Sequence, residues 1–80
     1  MENADQIDVE VAYARPDTQV ILKLRVPRGA TLEQAVRASG ILERFPEIDL
    51  ASHELGIFGK LNKSGAELRE GARVEIYRPL

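Results

Sequence analysis

Eighty residues, 44% hydrophobic and 30% charged, describe one small domain, and its core must be compact because so short a chain buries only about 60–65% of its unfolded surface. Eleven basic against thirteen acidic side chains leave a net charge of −2, too weak a field to steer the protein to nucleic acid or anionic lipid. With no cysteine and a single histidine, disulfides, thiolate nucleophiles, cysteine-ligated zinc and iron–sulfur clusters are excluded.

The acidic start, MENADQIDVEV, runs straight into an alternating pattern and does not read as a signal peptide. The apolar runs are a few residues long, far short of a membrane span. A cytoplasmic location without membrane insertion is the default expectation. Residues 1–6 are expected to be disordered or frayed, and the whole of 1–80 to form a single domain.

From Ile7 to Tyr13 apolar and polar residues alternate, placing Ile7, Val9, Val11 and Tyr13 on one face. Ala14 to Thr18 reads as a turn around Pro16 and Asp17. A second alternation then puts Val20, Leu22, Leu24 and Val26 inward and Ile21, Lys23 and Arg25 outward. Two such strands about a short turn predict a β-hairpin.

The period changes after Pro27. Thr31 is an N-cap candidate and Gln34 completes a capping box. Leu32, Ala35, Val36 and Ser39 share a helical face, and Gly40 is placed to end the helix in the left-handed conformation. Ile41, Leu42 and Phe45 predict one more turn before Pro46 stops it. Beyond an irregular crossing, Glu54 to Leu61 reads as a strand that Gly56 and Gly59 interrupt with a bulge or break. Turns at Ser64-Gly65 and Gly71 lead to a last strand, Arg73 to Tyr77, with Val74 and Ile76 inward.

A hairpin, one main helix and further strands predict an α+β fold: a mixed sheet of four to five strands with the helix packed on one face. If the C-terminal strand returns beside the first, the architecture is the β-grasp, or ubiquitin-like, roll.

The segments VEVAYARPD, VPRGATLEQAVRASGILERFPEIDL, GIFGKL and LREGARVEIYRPL, in this order and spacing, resemble the RnfH family of small bacterial proteins over nearly the whole chain. The resemblance implies a ubiquitin-like domain without enzymatic activity or cofactor. It also implies a tie to Rnf electron transport, or to a RatA/RatB toxin–antitoxin pair with a START-like, lipid- or ubiquinone-binding partner. Family members continue past YRPL into a charged, basic tail. This sequence stops at Leu80, which leaves open whether a tail was trimmed or is lacking.

Within the same fold the competing chemistry is that of a sulfur carrier or protein modifier. It requires a mobile C-terminal Gly-Gly that threads an activating site, and Arg78-Pro79-Leu80 disfavours it. Ser52, His53 and Glu54 carry the residue types of a triad, but sequence neighbours seldom converge on one atom, and a solvated loop histidine is the better reading. Glu43, Glu47 and Asp49 lack the spacing and turn glycine of a calcium loop. Gly56-Ile57-Phe58-Gly59 has a strand-like apolar interior and reads poorly as a nucleic-acid clamp. No catalytic residue and no metal ligand are assigned.

What remains is the sheet face opposite the helix. Ile21, Lys23, Arg25 and Tyr77 fall there with Glu75, and Phe58 and Lys60 join them if Leu55 and Ile57 point inward; the reverse phase exposes Ile57 instead. Apolar and aromatic groups inside a charged rim resemble a protein interface. With Arg78, these residues form the expected partner-binding set for a monomer or weak dimer that binds a protein and not nucleic acid.

Overall fold

The computed structural model describes residues 5–78. Strands β1 (Gln6–Arg15) and β2 (Thr18–Pro27) form the predicted hairpin. It is longer than the alternation alone marks, because the chain turns on Pro16 and Asp17 only, and the register runs from Arg15↔Thr18 to Gln6↔Pro27. Asp5 is also tied in, its carbonyl accepting the Arg28 amide at 2.7 Å. The expected fraying of residues 1–6 is therefore corrected for Asp5 and Gln6, while residues 1–4 lie outside the described residues.

Helix α1 (Leu32–Ser39) begins as its sequence dictates. The Thr31 hydroxyl accepts the Gln34 amide at 3.2 Å, and the Gln34 side chain returns a bond to the Thr31 amide at 2.9 Å. Gly40 ends the helix at φ 83°, and one further turn, α2 (Ile41–Arg44), follows before Phe45 and Pro46. Leu32, Ala35 and Val36 on the buried stripe of α1 are sealed against the sheet.

The interrupted strand resolves into a second hairpin, β3 (Glu54–Ile57) and β4 (Lys60–Asn62), joined by Phe58 and Gly59. Strand β5 (Arg73–Tyr77) lies parallel to β1 and antiparallel to β3, giving the five-stranded order β2-β1-β5-β3-β4. This is the mixed ubiquitin-like sheet that the element order predicts, with the C-terminal strand at its centre. A central strand is buried on its core side, so Val11, Val74 and Ile76 are fully inside, worth roughly 1.5–3 kcal/mol each in apolar transfer. Ile7, Val9, Tyr13, Leu55 and Leu68 complete the layer under the helix. The opposite face of the sheet is left uncovered by either helix.

Candidate functional site

Across the uncovered face, the registers place Ile21, Ala12, Glu75, Gly56 and Leu61 in one row from β2 to β4. Lys23, Glu10 and Arg73 form the neighbouring row. Small residues sit in the middle, and exposed Ile21 and Leu61 stand at the two edges. The charges are largely matched in place. Arg73 Nε donates to Glu10 Oε1 at 2.9 Å and Arg25 Nε to Asp8 Oδ1 at 3.0 Å.

The turn between β3 and β4 projects from this face. Phe58 has φ 48° and Gly59 φ 85°, the two positive values of a type I′ turn, whose hand matches strand twist. Asn or Gly is the usual occupant of the first position. Phenylalanine there costs about 1–2 kcal/mol of left-handed conformation, and it gains little burial, being 62% exposed. Its ring rests beside the Arg73 guanidinium, 6.0 Å from the centroid, a cation–π contact of modest worth at an exposed position.

Below the turn, Glu75 Oε1 accepts both the Gly59 amide and the Tyr77 hydroxyl, each at 2.7 Å. The Tyr77 ring lies over Gly56: a Cβ there would stand 2.6 Å from the ring and 2.5 Å from the Lys60 carbonyl oxygen. Burial, then the bond to the Glu75 carboxylate and its charge, push the Tyr77 phenol up to about 12. Because the Gly59 amide is already given to a carboxylate, the Gly56–Gly59 segment is spoken for as hairpin structure.

The sequence-derived set is thus gathered only in part. Ile21, Lys23 and Arg25 lie on the open face along β2, and Phe58 overlooks it beside Arg73. Lys60 does not. It registers with Ile57, whose partner Val74 is core, so it belongs to the helix side of the sheet. Leu55 and Ile57 do point inward, but the two-residue turn restarts the alternation, and Leu61 takes the open face instead. Tyr77 is on the expected face, but its ring and hydroxyl are engaged in holding the hairpin. Arg78 sits elsewhere, around a depression with Tyr13, Arg15, Asp17, Glu47 and His53.

That depression is held together internally. The Tyr13 hydroxyl donates to Glu47 Oε2 at 3.2 Å, and Arg15 lies 3.7 Å from the same oxygen. Burial and the Glu47 carboxylate raise the Tyr13 phenol. The Phe45 ring packs tilted against Tyr13, centroids 5.3 Å apart, with the Arg15 and Arg44 guanidinium groups over its ring. His53 Nδ1 takes the Asp49 amide at 3.1 Å, while the Ser52 hydroxyl bonds the Asp49 carbonyl at 3.3 Å. Ser52 and His53 each close the same loop and do not converge on a reacting atom. Among the described residues no three His, Asp or Glu side chains are grouped to hold a metal ion, and no helix is long and apolar enough to cross a membrane.

Sequence reasoning missed Leu61 as a member of the surface, and Arg73, outward by the alternation of the last strand, was left out of the partner-binding set. The signal for Leu61 was Gly59, the second position of a type I′ turn, but a phenylalanine before it hides the hairpin pattern.

Comparison with known proteins agrees with this fold. A family model described as RnfH family Ubiquitin matches residues 7–80. Protein RnfH of Methylococcus capsulatus is 55% identical over 74 residues, 92% of this chain and 78% of that protein. Protein RnfH of Paraburkholderia phymatum is 51% identical, with 92% and 67% covered. Among solved structures, the 3D domain-swapped dimer of protein HI0395 from Haemophilus influenzae is 47% identical with 94% of both chains covered, at a TM-score of 0.61.

Proposed function

This chain belongs to the RnfH family of small ubiquitin-like proteins, and from that premise we propose that it is a non-catalytic protein-interaction module of the cytoplasm, docking a partner through the open sheet face with Phe58 as its anchor. The observation that carries the reading is the conformation of Phe58. A large aromatic side chain is held at φ 48° and 62% exposed, where asparagine would make a better turn. Local rules are broken in this way where function, not folding, selects the residue. Leu61, 64% exposed, and Ile21 supply apolar area, while Lys23, Arg25 and Arg73 supply the charged rim. The partner is a protein, either a START-like RatA-type protein or a component of an Rnf complex.

Phe58→Asn separates binding from folding. Titrated calorimetrically against a purified RatA-type protein and a soluble Rnf component, the wild-type chain binds one of them. The variant loses about 2 kcal/mol or more of that affinity, and its folded state gains about 1 kcal/mol from the Asn-Gly turn. Undiminished affinity in the variant removes Phe58 as the anchor, and absence of wild-type binding to either protein removes both partners.

A second reading concerns self-association. The exchanged dimer of the Haemophilus influenzae protein supports carrying segment exchange to this chain, with a second copy as the partner.

A further inference from the structure

We propose that two copies of this chain exchange strand β1 about a hinge at Pro16–Asp17. The inference rests on the exchange reading above and adds where the chain opens and why.

The β1–β2 turn has two residues, and neither has a positive φ. Proline cannot acquire one, since its ring holds φ near −65°. The primed turns that follow the right-handed twist of paired strands are therefore closed to Pro16, and the unprimed types splay the strands they join. Ten-residue strands on both sides must absorb that mismatch. Opening removes it. Proline also biases Arg15 toward extended backbone, so the opened segment from Gln6 to Pro27 can run on as one continuous strand. A short loop in conflict with the geometry of its own strands is the circumstance in which exchange is favoured.

Strand β1 suits exchange because everything it touches can be rebuilt on another copy. It pairs with β2 on one side and β5 on the other, and Ile7, Val9, Val11 and Tyr13 enter the core as a row. Its covalent connection to β2 is the Pro16–Asp17 turn. The open face becomes composite on exchange: Glu10, which holds Arg73 beside Phe58 at 2.9 Å, then comes from the other copy.

Ala14 and Gln19 face each other across the hairpin and are both exposed. The Glu10 amide donates to Ala72 on the β5 side, so the Glu10–Lys23 pair is not hydrogen-bonded, and by alternation neither is Ala14–Gln19. Such a pair stands about 4.5 Å apart at Cα, within disulfide reach, and the chain has no other cysteine. The experiment refolds Ala14→Cys/Gln19→Cys from denaturant at micromolar and millimolar concentration, oxidises it, and reads mass by light scattering and linkage by non-reducing electrophoresis. The expected result is a dimer that grows with refolding concentration, survives dilution and carries interchain disulfides. Placing Asn-Gly in the turn of the same protein, as Pro16→Asn/Asp17→Gly, gives about tenfold less dimer. A dimer whose disulfides are all intrachain overturns this hinge and leaves exchange at another loop. Equal dimer from the Asn-Gly chain overturns the turn as cause. No dimer at millimolar concentration overturns exchange altogether. The binding function of Phe58 is untouched by any of these results.

Discussion

The β1–β2 and β3–β4 hairpins each reverse the chain in two residues, one with Pro16-Asp17 at negative φ and the other with Phe58-Gly59 at φ 48° and 85°. The strands they join explain the contrast. The first joins two ten-residue strands in continuous register, and so long a ladder keeps its pairing, within one copy or between two, whatever the hand of its turn. The second must hold a strand of only three residues at the sheet edge, where the turn contributes much of the hairpin's stability. There the hand is right, and Glu75, Tyr77 and Gly56 brace it from the neighbouring strands. A long ladder tolerates a mismatched turn, whereas a short one needs a matched turn and outside support.

The largest effect that separates the two comes from Gly56→Ala. A Cβ at that position meets the Lys60 carbonyl at 2.5 Å and the Tyr77 ring at 2.6 Å, and the backbone atom cannot step aside. A loss of about 3 kcal/mol is expected in urea unfolding, with β4 amides losing hydrogen-exchange protection before those of β1. Uniform loss of protection would mean that the hairpins are not independent.

Next is a matched pair at the second turn position. Gly59→Ala forces an L-residue to φ 85° and costs about 1–2 kcal/mol, whereas Asp17→Ala, at negative φ, stays within about 0.5 kcal/mol. Equal costs in chemical denaturation would erase the distinction between the turns.

The smallest effect is visible only in alkali. The Tyr77 phenol is raised to about 12 in the folded protein against about 10 when unfolded. Between those values the unfolded state has lost the proton and the folded state keeps it, so stability present below pH 10 falls as the pH rises toward 12. Tyr77→Phe removes that share. Its melting temperature should fall less than the wild type's between about pH 10 and 12, and equal slopes would place the alkaline loss elsewhere.

Most of the fold was legible because its signals are local. The capping box at Thr31 and Gln34, the helix stop at Gly40 and the alternation of Ile7 to Tyr13 each follow from neighbours in sequence, and each is present. The surface was less legible. Ile21, Lys23 and Arg25 followed from the phase of one strand, but Lys60 and Leu61 exchanged faces because Phe58 concealed a turn that resets the phase. Arg78, expected in the partner-binding set without a place on the face itself, lines the depression around Tyr13 and Glu47, one residue past Tyr77.

By itself the sequence determined the helix limits, the first hairpin and the inward rows of β1, β2 and β5, since periodicity and capping act within a few residues. It also determined family membership, through motifs in a fixed order. Tertiary structure alone decided that Gly56 lies under Tyr77, that Glu75 ties the Gly59 amide to the Tyr77 hydroxyl, and that Arg73 links Glu10 to Phe58. Those contacts join residues far apart in the chain, and only the register of β5 between β1 and β3 brings them within reach.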